Sequence, residues 1–163
     1  MKESFRARVW LLGDDIDTDI IIPTEYLALK SIEDMKPYAF SPLRPELAGQ
    51  IRPGDVIVAG KNFGCGSSRE QAPEVIKALG IRAVIAKSYA RIFFRNSINN
   101  GLLLIENPDL SDEVAEGQEV EITVGEKIEA GGKSYPIAAL PENLLEILEA
   151  GGLVSAMRRR NGL

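Results

Sequence analysis

A single α/β domain with parallel strands at its centre is what this chain predicts, and three observations carry it. Val56-Ile57-Val58-Ala59, Ile81 to Ala86 and Leu102-Leu103-Leu104-Ile105 are short unbroken apolar runs, the pattern of strands covered on both faces. Stretches of helical periodicity separate them, so successive strands run parallel. The chain has 163 residues, 45% of them hydrophobic, which suffices for one domain over residues 1–163 with a substantial core.

The elements follow in order. Phe5, Ala7, Val9 and Leu11 alternate with Arg6, Arg8 and Trp10, the period of a strand with one buried face. Gly13-Asp14-Asp15 breaks that strand, and Asp17-Thr18-Asp19 forms a polar turn held by Ile20-Ile21-Ile22 and Pro23. From Thr24 to about Gln50, Pro37, Pro42 and Pro45 forbid a long helix, so this stretch is a long excursion with short helical turns. After the turn Arg52-Pro53-Gly54-Asp55 and the first apolar run, Val75, Ile76, Ala78 and Leu79 give a helical face that ends at Gly80. Ser88 is placed to cap a second helix through Asn96, with Ile92, Phe93 and Asn96 on one side, and Asn99-Asn100-Gly101 closes it. Beyond Pro108, Glu119 to Val124 alternates and Gly131-Gly132 reads as a hairpin turn. Pro141 opens a last helix, Leu144, Leu145 and Leu148 inward, which Gly151-Gly152 ends. Antiparallel pieces therefore flank a parallel middle.

A net charge of −5 weighs against a nucleic-acid partner. The basic run Arg158-Arg159-Arg160 reads as cations complementing the dipole of a terminal helix. Cys65, alone, excludes an intramolecular disulfide and suits the cytoplasm. Charges interrupt the first residues where a signal peptide has its apolar core, and no apolar run approaches the ~18 residues of a membrane span.

The segment with the most chemistry is Lys61-Asn62-Phe63-Gly64-Cys65-Gly66-Ser67-Ser68-Arg69-Glu70, between an apolar strand and a helix. The chain has no histidine and a single cysteine, so it lacks an imidazole base and the ligands for a metal centre of its own. Ser67 and Glu70 have the spacing of a capping box, while Pro73 requires the helix either to kink or to begin there after a preliminary turn. In both cases free N–H groups near Ser67 to Arg69 suit a carboxylate, and Arg69 adds a planar fork. On the turn alone, a plain helix cap with a solvated Arg69 stays equally open. A dinucleotide fingerprint fails, because Arg69 stands at the third glycine position and the next strand ends at Ala86-Lys87 instead of an acid. Cys65 reads as a small residue between glycines, since one thiolate cannot hold an iron–sulfur cubane. Arg91 and Arg95, four residues apart on one helix face, meet a partner, a substrate or only solvent.

Three segments in this order resemble a family: Gly13-Asp14-Asp15-Ile16-Asp17-Thr18-Asp19, then Gly66-Ser67-Ser68-Arg69-Glu70, then Ala86-Lys87-Ser88-Tyr89-Ala90-Arg91-Ile92-Phe93. Together they look like the small subunit of the aconitase superfamily, the swivelling β/β/α domain of isopropylmalate isomerase and homoaconitase, and the resemblance runs from Val9 to the terminal helix. It implies a hydro-lyase acting on a small 2-hydroxy dicarboxylate, shared with a large subunit that holds a [4Fe-4S] cluster and supplies the histidines. No cofactor is then expected on this chain. Carried over by position, Ser67 matches the serine that removes the carbon-bound proton as an alkoxide. Arg69 matches the arginine that binds a substrate carboxylate, with Ser68, Gly66 and Thr18 as further contacts. Asp19 matches an acid that pairs with a partner histidine.

The resemblance also places substrate choice in the loop Tyr26-Leu27-Ala28-Leu29-Lys30. Homoaconitase-type chains carry an arginine soon after the Tyr-Leu pair, where Ala28 and Leu29 stand here and suit an isopropyl group. Lys30 is a competing carboxylate reader. The isopropylmalate branch is therefore favoured, with homoaconitase or a methyl-substituted malate hydratase as alternatives. Outside this class the alternative is a stand-alone binding module for a small anion. Self-association into a homo-oligomer without the large subunit is left open.

Overall fold

The computed structural model describes residues 3–152 together with residues 157 and 158. Arg159 and Arg160, read above as the end of a terminal helix, lie outside the described residues.

The chain starts with β1 (Ser4–Leu11) and passes through the one-turn helix α1 (Thr18–Ile21) into the excursion. Two single turns of 3-10 helix, Thr24–Tyr26 and Lys36–Tyr38, and the short helices α2 (Ile32–Met35) and α3 (Leu47–Gln50) make up that excursion, as the prolines require. There follow β2 (Val56–Ala59), α4 (Gln71–Ala78), β3 (Ala83–Ala86), α5 (Arg91–Asn99) and β4 (Leu103–Glu106). The last third holds α6 (Leu110–Glu113), β5 (Glu119–Thr123), β6 (Lys127–Ala130), β7 (Lys133–Pro136) and α7 (Glu142–Ala150).

The seven strands among the described residues form one sheet in the order β4-β3-β2-β1-β5-β6-β7. The first four pair in parallel and the rest antiparallel. The antiparallel part thus lies entirely on one side of β1, which pairs in parallel with β2 and antiparallel with β5, instead of flanking the parallel part on both sides. Gly131-Gly132 is the β6–β7 turn, both residues at positive φ as a two-residue hairpin of this hand demands.

Side-chain alternation sorts the strand residues between two cores. Trp10, Ile57, Ala59, Val84, Ala86 and Leu104 join the cluster beneath α4, α5, α7 and the excursion. Ala7, Val9, Val56, Val58, Ala83, Ile85 and Ile105 join a second cluster with β5, β6, β7 and α6. Asn107, just past β4, donates to the Pro136 carbonyl in β7 at 3.2 Å, so the two edges of the sheet approach each other and the sheet curls into a half-barrel around that second cluster.

This double coverage corrects the reading of β1 as a strand with one buried face. Trp10, expected among the polar residues, is only 8% exposed, and its indole N–H donates to Asp55 Oδ2 at 2.8 Å while the Arg8 and Arg44 guanidiniums lie over its ring. In α7, Leu144, Ile147 and Leu148 pack on the core, whereas Leu145 faces the groove beside Phe5 and Leu103.

Candidate active site

β1, β2 and β3 run the same way, so the loops that leave their C-terminal ends meet, the usual place for a ligand in a parallel sheet. Backbone bonds fasten these three loops to one another. Gly60 N–H donates to the Gly13 carbonyl at 3.0 Å, Gly64 N–H to Ile16 at 2.7 Å and Thr18 N–H to Cys65 at 2.8 Å. On the other side, Phe63 N–H donates to the Ser88 carbonyl and Ala90 N–H to Phe63, each at 3.0 Å. The Tyr89 hydroxyl lies 2.7 Å from the carbonyls of Val84 and Ile105 and ties the third loop to the sheet; burial pushes its pKa well up.

Two glycines are needed in the middle loop. Gly64 sits at φ +83°, and a Cβ there would lie 2.1 Å from Cγ of Phe93. Gly66 sits at φ +89° against Asp17, which lets the loop pass close to the acidic turn.

The expected capping box is absent. The helix begins at Gln71, its N-cap is Glu70 in a helical conformation, and no side chain caps it. Pro73 decides the start: as the third helical residue it belongs to the first turn, where an N–H would have no partner inside the helix, so neither a kink nor a start at Pro73 is required. Ser67, Ser68 and Arg69 therefore lie in an irregular loop, and the helix N-terminus is displaced from Ser67 toward Gln71. Ser88 likewise does not cap α5, whose N-cap is Ala90; its hydroxyl accepts from Asn62 N–H at 2.8 Å. Ile92, Phe93 and Asn96, expected on one side of that helix, do share a side, on which Ile92 is 56% exposed.

A cleft of about 240 Å³ opens between these loops and α5, lined by Thr18, Gly64, Gly66, Ser68, Arg69, Ala90, Arg91, Ile92, Phe93 and Asn96. Four expected residues, Thr18, Gly66, Ser68 and Arg69, thus meet in one place. Ser67 stands beside the cleft and is exposed; its carbonyl accepts from Thr18 Oγ1 at 2.6 Å. Among the described residues its hydroxyl has no hydrogen-bond partner. Arg91 and Asn96 line the cleft from α5, whereas Arg95, paired with Arg91 in the sequence by its spacing, is not among the residues that line it.

Arg69 is not solvated. Its side chain is 14% exposed, and Nη1 donates to Asp19 Oδ1 at 3.1 Å and to the Ile22 carbonyl at 2.8 Å, while Nη2 donates to Thr24 Oγ1 at 2.7 Å. Asp19 Oδ1 also accepts from the amide and the hydroxyl of Thr24. These bonds, the one from Arg69 foremost, hold the Asp19 carboxyl below its usual range. Asp17, unremarked in the sequence beyond its place in the polar turn, caps α1 by accepting from the amides of Asp19 and Ile20. Thr24 is the residue sequence reasoning missed, since nothing in Pro23-Thr24-Glu25 announces a contact with Arg69.

The loop Tyr26 to Lys30 does not line this cleft. Tyr26 stacks on Tyr38 at 4.1 Å with the rings 6° from parallel, Leu27 is half-buried, and Ala28, Leu29 and Lys30 are exposed. Burial pushes the Cys65 thiol up, with the charges of Asp17 and Asp15 adding to it.

The profile of the aconitase C-terminal domain family matches residues 46–110. The 3-isopropylmalate dehydratase small subunit of Lachnospira eligens is 78% identical over 163 residues, 100% of this chain and 99% of that protein. The chain belongs to the 3-isopropylmalate dehydratase small-subunit family. A relative from Methanocaldococcus jannaschii, an isopropylmalate/citramalate isomerase small subunit, is 45% identical, with 98% of this chain and 97% of that one aligned. The crystal structure of 3-isopropylmalate dehydratase from the same organism superposes with a TM-score of 0.92 at 42% identity, covering 98% of this chain and 96% of that chain. The fold is therefore the aconitase-type swivelling domain expected above.

With no histidine and one cysteine, the chain does not fit a [4Fe-4S] cluster, and among the described residues no group of three or more potential ligands converges. No helix among them is long and apolar enough to cross a membrane.

Proposed function

We propose that this chain is the small subunit of a 3-isopropylmalate dehydratase in leucine biosynthesis, and that it supplies one wall of a site completed by an iron–sulfur large subunit. The observation that carries the reading is the fastening of the Asp17–Asp19 turn to the Gly64–Arg69 loop beside a cleft in a chain without its own base or metal ligands. That arrangement is half of a site.

Isomerisation of a 2-hydroxy acid by loss and return of water needs a base at one carbon and the departure of hydroxide from its neighbour. Ser67, as alkoxide, takes the carbon-bound proton, and the C–H electron pair forms the double bond. The C–O pair leaves with the hydroxide, which becomes water by taking a proton from an acid of the partner, this chain having no histidine to give one. Ser67 returns the proton when water adds at the other carbon. A serine hydroxyl ionises far above neutral pH, so this role requires stabilisation of the alkoxide by surrounding donors and by positive charge from the partner. Arg69 and Ser68 hold a carboxylate beside it, and Asp19 keeps Oδ2 for a cation of the partner, since all its hydrogen bonds here fall on Oδ1. The cluster, held by the partner, would polarise the departing hydroxyl.

A second reading has specific support: the relative whose name joins isopropylmalate to citramalate points to a methyl-substituted malate as a further substrate. Anaerobic reconstitution with the large subunit of the same host tests both. Turnover of isopropylmalate by the complex, with the isolated chain silent, is expected. Turnover of homoaconitate in preference to isopropylmalate, or saturable anion binding without any effect on a partner, would instead favour homoaconitase or a free-standing binding module.

A further inference from the structure

The contacts of Arg69 determine which of its donors remain for a ligand. A guanidinium carries five N–H bonds. Both Nη1 hydrogens are engaged, one with Asp19 Oδ1 and one with the Ile22 carbonyl, and one Nη2 hydrogen goes to Thr24 Oγ1. Asp19 Oδ1 and Thr24 Oγ1 are 3.1 Å apart and bonded to each other, so they sit side by side across the Nη1–Nη2 end of the fork. The two donors left over are Nε–H and the second Nη2–H. These point in parallel along the side of the guanidinium, a geometry that matches one carboxylate bidentately.

Thr24 controls this arrangement. Its hydroxyl proton is given to Asp19 Oδ1 at 3.1 Å, which leaves a lone pair for Arg69 Nη2 at 2.7 Å. One hydroxyl thus orients two charged groups, one of them 45 residues away in sequence. We propose that Thr24 is a positioning residue that turns Arg69 so that its Nε–Nη2 side reads the substrate carboxylate. The inference rests on the reading of Arg69 as the carboxylate-binding group and adds the edge it uses and the residue that selects that edge.

The test uses the complex reconstituted with the large subunit of the same host, carrying Thr24→Val, Thr24→Ser, Arg69→Lys, or Thr24→Val combined with Arg69→Lys. Thr24→Val is expected to raise KM for isopropylmalate about tenfold, equivalent to about 1.4 kcal/mol, with kcat within about threefold of the unaltered complex. Thr24→Ser, which keeps the hydroxyl, restores KM to within about twofold. Added to Arg69→Lys, Thr24→Val should have no further effect, because a residue that acts through Arg69 has nothing left to orient. In the isolated chain, the two Arg69 Nη nitrogens should give separate NMR signals, and Thr24→Val should speed their exchange, because only the two Nη1 bonds then restrain rotation about Nε–Cζ. An unchanged KM in Thr24→Val, an undiminished effect on the Arg69→Lys background, or merged Nη signals in the unaltered chain each overturn the proposal. If Arg69→Lys itself leaves KM unchanged, the reading of Arg69 fails; if it raises KM and Thr24→Val does not, only the role of Thr24 fails. Should the Thr24→Val complex not assemble, the rate of Arg69 Nη exchange in the isolated Thr24→Val chain decides, a rate equal to that of the unaltered chain overturning the proposal.

Discussion

Replacing Gly64 by alanine separates backbone strain from crowding at the centre of the site. The residue has φ +83°, and the added Cβ would lie 2.1, 2.4 and 2.5 Å from Cγ, Cδ2 and Cβ of Phe93. Phe93 cannot yield cheaply: it is 4% exposed, its Cβ is fixed by the α5 backbone, and its ring packs edge-on against Phe63 with centroids 5.5 Å apart. Left-handed backbone at a residue with a Cβ costs about 1 kcal/mol. Forcing a methyl into a closed core adds about 2 kcal/mol. The expected destabilisation is therefore about 3 kcal/mol, or roughly 6–12 °C in Tm for a chain of this size.

Two controls divide that total. Gly117 has φ +87° with nothing within 4 Å of its Cβ position, so Gly117→Ala should show the backbone part alone, about 1 kcal/mol. Gly13 has open space and no positive φ, so Gly13→Ala should stay within about 0.5 kcal/mol of the unaltered chain. Urea unfolding followed by circular dichroism measures all three, with an unchanged m-value required for the comparison. If Gly64→Ala is no more destabilising than Gly117→Ala, Phe93 is not a rigid wall and the explanation of Gly64 is wrong.

Ser67→Ala in the reconstituted complex should lower kcat by several orders of magnitude and leave KM within a few-fold; near-normal turnover would remove the serine from the chemistry. Asp19 has a depressed folded-state pKa, so its contribution to stability is fully present above the unfolded value, about 3.9, and is lost as pH falls through the lower folded value. A carboxyl-carbon NMR titration should place its midpoint below that of an unpaired aspartate, and a midpoint at or above it would contradict the pairing with Arg69. Ala28 is exposed, so Ala28→Arg should fold unchanged; it should shift preference toward homoaconitate, whose extra carboxylate the new cation can pair, and weaken isopropylmalate, and equal kcat/KM ratios before and after would discard the loop as a reader of substrate. Asp55 Oδ2 accepts from Trp10 Nε1, Arg8 Nη2 and the Arg52 amide, so Asp55→Ala should cost about 2 kcal/mol, chiefly from the indole and amide left unpaired since Arg8 is half-exposed; an unmoved urea midpoint would refute this.

The sequence by itself determined the parallel centre and the incompleteness of the site. Unbroken apolar runs such as Val56–Ala59 admit burial on both faces, and a chain with no histidine and one cysteine cannot assemble a cluster or an imidazole base however it folds. Local chemistry also placed the Gly131-Gly132 turn and the broken excursion, because both follow from φ preferences of neighbouring residues. Tertiary structure decided the rest. Trp10 is buried because the excursion covers a face that strand alternation alone leaves bare, and Pro73 fixed the start of α4 against a capping pattern three residues earlier. Arg69 reaches partners 45, 47 and 50 residues away, brought to it by the fastening of two loops at the ends of adjacent parallel strands. Periodicity and capping patterns report only what lies within a few residues along the chain, whereas the orientation of a guanidinium is set by whichever acceptors the strand pairing delivers to it.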